Sequence, residues 1–384
     1  MSNLPGVYIN LQNGNIGGTV ASNDGLAGLT CTGKSVAGII ALNEPKQLFS
    51  IEDAEAMGID EDNNPFAHRQ ISDFYAQAGK GSELWVCLKD ETSTIAEMVS
   101  DDILFTANGK IVLWGVVKEN LSAGADGGLN DDLNQARLDM QTIANTYAEK
   151  NQDFMGFIGT SDFNDFSALQ DFSTATTANV GLLNFSTSVG DKNAAMGFFL
   201  GWLAKRTVEQ SIAILDEELP YSDICFTNGT LIDDNSDKFS LLHTRRYITG
   251  FLHNNREGYY FMDDLNTTSV TDDFSDIARV RVKNKLKRVL DFVATAFLHN
   301  KVAIDTDTGE LQAGVTIYYK NTLETAVQNA MIVGGKDEIS GVAVYVNPSQ
   351  NILSTNDLNI EASFVFVGKA KRIKISLGAA SSLS

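Results

Sequence analysis

Residues 28–35 read Gly-Leu-Thr-Cys-Thr-Gly-Lys-Ser and satisfy the spacing G-x-x-x-x-G-K-[ST]. In a phosphate loop of that spacing, backbone N–H groups and Lys34 would cradle a nucleotide's phosphates while Ser35 met magnesium. Such a loop needs a buried strand ending before its first glycine and a helix opening at its lysine. Here Ser22-Asn23-Asp24-Gly25 precedes the match, and Pro45 would soon break any helix begun at Ser35. Leu26–Thr32 reads instead as a small-residue strand running through Gly28. Nucleotide binding through Gly28–Ser35 is therefore the alternative reading. Ile212–Glu217 has the make-up of the acidic strand that accompanies such loops, yet it continues an apolar helical stretch that starts at Ala194.

The other candidate chemistry is thinner. Asp233, Asn235 and Asp237 alternate as in a calcium loop, but Lys238 takes the glycine position and no glutamate closes it. Asp305–Gly309 reads as a solvated turn. His243, beside Arg245 and Arg246, reads as a strand edge carrying surface charge. Cys31, Cys87 and Cys225 form no CxxC pair, and none of the four histidines stands near a cysteine in metal-ligand spacing. No catalytic residue, metal ligand or cofactor site is expected. One cluster stands out: Arg279, Arg281, Lys283, Lys285, Lys287 and Arg288 put six cations within ten residues.

The elements that must carry these residues follow from periodicity. Ile111–Val117, Phe154–Gly159 and Val180–Phe185 are apolar runs suited to buried strands. Asp131–Asn151 and Ala194–Leu215 have helical spacing, and strands alternating with helices imply a layered α/β domain. Toward the end, Ile277–Leu298 reads as a helix with Val282, Leu286, Val289, Leu290, Val293 and Phe297 on its apolar side and Arg281, Lys285 and Arg288 opposite. Val315–Tyr319, Val342–Val346 and Phe364–Val367 read as strands, making this part α+β. At the two ends Val7, Ile9 and Leu11 alternate with Tyr8, Asn10 and Gln12, and Ile373, Ile375 and Leu377 alternate with Lys374 and Ser376. Both patterns fit isolated strands.

Composition narrows the function classes. The 384 residues include 29 Lys+Arg and 49 Asp+Glu, a net charge of −20, which opposes phosphate-rich partners, so no nucleic-acid partner is expected. The charge is uneven: residues 1–269 hold 16 basic and 37 acidic side chains, and residues 270–384 hold 13 and 12. Such asymmetry lets copies of one chain dock on each other. The opening Met-Ser-Asn-Leu-Pro-Gly lacks the pattern of a secretory signal, and the longest apolar run, Ala194–Ala204, is far short of the roughly 20 residues of a membrane span. No direct membrane insertion is expected.

Taken in order, Leu4-Pro5-Gly6-Val7-Tyr8-Ile9, the Gly25–Gly58 segment, and Asp273–His299 followed by VTIYY, VAVYV, FVFV and IKISL resemble the contractile tail sheath proteins of bacteriophage tails, R-type pyocins and related injection systems. The resemblance implies a structural subunit, not an enzyme, that polymerises as a helical homo-oligomer around an inner tail tube protein, meets baseplate and terminator proteins, and contracts. It implies an outer layered α/β domain inserted into a C-terminal α+β sheath domain. The expected divisions are an N-terminal β arm over 1–24, an acidic outer domain over 25–257, a tube-proximal α+β domain over 258–368 and a C-terminal β arm over 369–384. The family's arms add strands to neighbouring subunits, a role that would fall here to Val7, Tyr8, Ile9, Leu11, Ile373, Ile375 and Leu377. The basic helix, through Arg279, Arg281, Lys285 and Arg288, would dock on the tube, so reversing Arg281, Lys285 and Arg288 to Glu should leave folding intact and abolish assembly on the tube. The particle would be a virion tail or an injection-system particle, assembled in the bacterial cytoplasm.

Overall fold

The structure, a computed structural model, describes residues 24–375 apart from 120–128, 130–131 and 164. The arm residues Val7, Tyr8, Ile9, Leu11 and Leu377 lie outside the described residues. Two compact units divide between Asn300 and Lys301. The basic helix packs within the first of these units.

The first unit is built on a seven-stranded sheet. Its strands are β1 (Ala27–Thr32), β2 (Lys46–Leu48), β3 (Leu84–Lys89), β4 (Leu113–Val117), β5 (Met155–Gly159), β7 (Val180–Leu183) and β8 (Tyr247–Ile248); a small β6 (Thr176–Thr177), outside this sheet, lies between β5 and β7 in the chain. The order is β2-β3-β1-β4-β5-β7-β8, and every neighbouring pair is parallel except β2 with β3. Parallel strands need crossovers and are buried on both faces, and β1, β4, β5 and β7 are buried at every residue and apolar apart from Thr30 and Thr32 of β1. Two small antiparallel sheets follow: β9 (Gly250–Leu252) forms a hairpin with β10 (Tyr259–Phe261), and β11 (Thr267–Thr268) pairs with the sequence-distant β6.

The helices of this unit are α1 (Ile51–Ala56), α2 (Pro65–Ala78), α3 (Ile95–Met98), α4 (Asp102–Thr106), α5 (Leu133–Ala148), α6 (Met196–Ala204), α7 (Phe239–Thr244) and α8 (Ile277–Thr295). They cover both sheet faces. A Cβ on Gly115 of β4 would strike Met196 and Leu200 of α6, while one on Gly156 of β5 would strike Met140 of α5. Gly115 pairs with Phe157, and the neighbouring Gly156 presents its Cα hydrogens to the other face, so α6 and α5 lie on opposite faces. Helix α6 is buried all round because α2 closes over it. Gly197 and Gly201 allow this: a Cβ on Gly197 would lie 1.7 Å from the Gln70 carbonyl oxygen, and one on Gly201 2.5 Å from that of Phe74.

Two expectations fail here. The helix foreseen over Ala194–Leu215 ends at Ala204 and gives way to turns, so Ile212–Glu217 is neither helix nor strand. His243 lies in the last turn of the short helix α7 rather than edging a strand, and its ring meets the Asp263 carboxylate at 2.9 Å.

The second unit contains α9 (Ala313–Met331), β12 (Ile339–Val346), a one-turn α10 (Ile352–Thr355) and β13 (Ile360–Phe366). β12 and β13 form an antiparallel two-stranded sheet, with an irregularity at Ile339–Gly341. Val315–Tyr319, foreseen as a strand, lies inside α9. Its β-branched and aromatic residues favour strands locally, but Tyr319, Leu323, Val327, Ala330 and Met331 recur at helical spacing and bury one stripe of α9, which packs along β12. Among the described residues no helix is long and apolar enough to cross a membrane.

Candidate assembly site

The crevice at the carboxyl ends of β1 and β4, where the strand order reverses, is where open α/β sheets bind ligands. Gly33 and Lys34 stand there, but no phosphate cradle is built. Residues Gly28–Thr32 belong to β1 itself, and no helix opens at Lys34. The Gly33 N–H donates to the Lys89 carbonyl at 2.9 Å, and the Lys34 N–H to Asn64 Oδ1 at 2.6 Å. Asn64 Nδ2 in turn donates to the carbonyls of Lys34 and Gly58. Lys34 Nζ reaches out to Glu91 at 3.3 Å with both side chains more than half exposed. Nearby, burial and the neighbouring Glu91 push the Glu119 carboxyl above its ordinary range, an environment hostile to a polyphosphate. The amides that a nucleotide would need are already spent on strand and turn.

The metal candidates resolve similarly. Asp233 Oδ1 accepts from the Tyr259 hydroxyl at 2.7 Å, and Asp237 pairs with Lys238. Asp305 Oδ1 accepts the N–H groups of Asp307 and Thr308, and Gly309 takes φ +74°, the turn its spacing suggested. Among the described residues no three His, Cys, Asp or Glu side chains come together as ligands for a metal ion.

The basic helix is the main surprise. Asp276 caps α8, accepting from the Arg279 N–H at 3.0 Å. Arg281 is only 4% exposed. Its guanidinium donates to the carbonyls of Leu203, Arg206 and Thr207, which leave the C-terminal end of α6, and to that of Asp24. A fork of donors matches that cluster of carbonyls where the chain leaves α6. Burial lowers the Arg281 pKa to about 10, with Asp24 opposing the shift. Lys285 Nζ lies 2.7 Å from Asp24 Oδ2, and Arg288 Nη2 2.8 Å from Asp24 Oδ1. Lys287 pairs with buried Asp153 at 3.0 Å, Lys283 sits over the Phe274 ring at 5.0 Å, and Arg279 lies 3.5 Å from Asp276.

Each of the six cations thus has a partner inside the chain. Of the four expected to dock on a tube, Arg281 and Lys285 are buried and Arg288 is engaged with Asp24, so that expectation is corrected for these three. The physical reason is that Arg281, Lys285 and Arg288 fall on one stripe at i, i+4, i+7, which the fold turns inward onto Asp24. What sequence spacing missed was Asp24 itself, lying more than 250 positions away in sequence.

The second unit offers edges rather than charges. β12 and β13 form a sheet of two strands, each without a second neighbour among the described residues. The sheet's open face carries Tyr345, 56% exposed, and Val365, 62% exposed. Beyond β13 the chain runs on through 367–375 without joining any sheet, with Ile373 79% and Ile375 84% exposed. Two-stranded sheets and bare apolar strands are marginal alone and seek further strands.

Comparison with known proteins then places the chain. Residues 4–265 match the family described as DUF2586, N-terminal domain, and residues 273–384 match DUF2586, C-terminal domain.

The chain belongs to the DUF2586 family.

Among curated proteins no sequence match is found. Similar solved structures cover the chain almost end to end. The helical sheath of the anti-feeding prophage in its contracted state aligns at TM-score 0.63 and 13% identity over 98% of this chain and 99% of that one. The contracted sheath complex of the extracellular contractile injection system PVC aligns at TM-score 0.62 and 13% identity over 99% of each chain. A chain of the anti-feeding prophage baseplate aligns at TM-score 0.61 and 13% identity over 99% of this chain and all of that one. The fold of this DUF2586 chain is that of contractile sheath proteins, a mixed α/β architecture with a mainly parallel sheet and several small sheets.

Proposed function

We propose that this chain is a sheath subunit, which polymerises into a helical tube around an inner tail tube and contracts to drive that tube through a target envelope. The observation that carries the reading is likeness along nearly the full length of both chains to two sheaths in the contracted state, one of them a helical sheath. The two-stranded sheet and the exposed alternating segment after β13 support it, because each is what the other lacks. A strand from one copy laid on the sheet of the next is strand addition, and repeating that contact with a rotation that does not close gives a helix. In this reading Val7, Tyr8, Ile9 and Leu11 form one donated strand and Ile373, Ile375 and Leu377 the other.

Backbone pairing tolerates tilting of the attached bodies, so donated strands would act as hinges while the larger units move. Contraction is then a two-state change driven by a few kcal/mol per subunit summed over many copies, with no nucleotide consumed. Of the helix cations first considered for the tube, Arg279 is the one with a substantially exposed head, and it is retained as the tube contact. Baseplate and terminator proteins complete the set of partners, and the location is a virion tail or injection-system particle assembled in the bacterial cytoplasm.

Negative-stain microscopy of the purified chain tests this directly. The full chain should form tubes, and removing the residues before Asn13 or beyond Gly368 should abolish them while leaving the melting temperature of the folded units within a degree or two. Tubes formed equally well by both truncated chains would refute the donated-strand reading.

A further inference from the structure

The two strands of the second unit are not equally open. Helix α9 packs along β12, and Glu324, on α9, reaches back to the strand: its Oε1 accepts the Val344 N–H at 2.8 Å, with the Glu324 side chain 19% exposed. Val344 sits opposite Ala362 in the ladder. A backbone donor that serves a side chain on α9 is turned away from β13, so Val344 lies at a position whose N–H faces the outer edge of β12. In an antiparallel ladder Val342 and Val346 face the same way. This is the row of donors an incoming strand would use, and a carboxylate covers its middle. Free strand edges are commonly blunted by charge, because an uncovered edge invites pairing with any extended chain.

The candidate occupant has a matching chemistry. Residues 301–368 carry three basic and eight acidic side chains, whereas residues 369–384 carry Lys369, Lys371, Arg372 and Lys374 and no acid. By contrast, residues 1–23 carry no charged side chain at all. The two terminal segments are therefore chemically distinct, and the cationic one is the complement of a carboxylate-guarded edge on an acidic unit. Arg372 and Lys374 flank Ile373 and Lys371 falls on the face of Ile373, so a strand seated here brings cations to both of its faces.

We propose that Glu324 is an edge guard: it holds the Val344 N–H in the lone subunit, and the basic C-terminal segment of a second copy displaces it to add a strand along the outer edge of β12. This inference rests on the sheath reading and names which edge, which segment and which residue regulates their union. A guard of this kind keeps subunits apart until a nucleus presents several basic segments at high local concentration. It also makes this joint, unlike one formed by the uncharged N-terminal segment, sensitive to salt.

The test uses the full-length chain below its assembly concentration and a synthetic peptide of residues 368–378. Glu324→Ala and Glu324→Met remove the acceptor, and Glu324→Gln keeps one. In both acceptor-less variants the Val344 amide should exchange with solvent about tenfold faster than in the wild type, and the peptide should bind about tenfold more tightly, protecting the amides of 342–346. Glu324→Gln should stay within about threefold of the wild type in exchange. A peptide carrying Lys369→Glu, Lys371→Glu, Arg372→Glu and Lys374→Glu should not bind. Unchanged or weaker peptide binding in Glu324→Ala and Glu324→Met overturns the guard. Protection confined to 360–366, or equal binding of the reversed peptide, overturns the choice of edge or segment. Tube formation is scored separately: loss of tubes in the wild type refutes the sheath reading, while the peptide measurements still decide the guard.

Discussion

Replacing Asp24 by alanine should destabilise the first unit by about 3 kcal/mol. Asp24 is 16% exposed and holds Lys285, 7% exposed, and Arg288, 22% exposed, at 2.7 and 2.8 Å. Removing one member of a buried ion pair strands the other's charge, which costs roughly 3–5 kcal/mol; the partial exposure of Asp24 argues for the lower end. Arg281 keeps its carbonyl partners at Leu203, Arg206 and Thr207, which limits the damage further. Urea unfolding followed by tryptophan fluorescence reads this unit alone, because Trp85, Trp114 and Trp202 all lie in it. With a slope of about 2–3 kcal/mol per molar, the midpoint should fall by about 1–1.5 M. The double variant Asp24→Ala/Lys285→Met should recover at least half of the loss, since it leaves no stranded ammonium group. A loss below about 1 kcal/mol, or no recovery in the double variant, would refute the view that these cations are structural. By the same logic Arg281→Glu should unfold the unit instead of leaving a folded subunit that cannot assemble.

Gly197→Ala should cost at least about 3 kcal/mol by the same urea measurement, because the new Cβ would meet the Gln70 carbonyl oxygen of a packed neighbouring helix, a backbone contact that cannot turn aside. Burial, reinforced by Asp191 and opposed by Arg69, raises the Asp73 carboxyl to about pH 6 from an ordinary value of 3.8. A carboxyl whose pKa is higher folded than unfolded adds stability that is present below the unfolded pKa and lost as pH rises through that window. Asp73→Asn should therefore stabilise the protein by about 1–2 kcal/mol at pH 7 and by almost nothing at pH 3.5, as read by thermal melts at the two pH values. Finally, Cys31, Cys87 and Cys225 are all buried, and burial pushes the Cys87 thiol up to about 11 and the Cys31 thiol higher still. A thiol reagent at pH 8 should label none of them in the native chain and all three in urea; rapid native labelling would show that the core opens.

The middle strands of the first unit's sheet were legible because they are continuous apolar runs between polar punctuation: Leu113–Val117, Met155–Gly159 and Val180–Leu183 fall inside the runs read from sequence, whereas Lys46–Leu48, Leu84–Lys89 and Tyr247–Ile248 were not read as strands. The helices Leu133–Ala148 and Ile277–Thr295 were legible from their spacing. Val315–Tyr319 misled, since its local preference for strand is weaker than the burial gained by a stripe extending to Met331. Of the candidate site, the exposed Ile373 and Ile375 were visible as alternation without a partner, whereas the Glu324–Val344 contact joins a helix read as a strand to a strand twenty positions on.

Sequence by itself determined the layered α/β core, the uneven charge and the presence of an isolated basic segment at the end, because periodicity and charge are properties of neighbours along the chain. Only the tertiary structure decided where the helix cations point and which sheet edge is covered. Each of those depends on a partner such as Asp24 or Glu324 arriving from a distant part of the chain, and burial in the folded protein turns a charge that would be solvated on an isolated helix into an internal fastening.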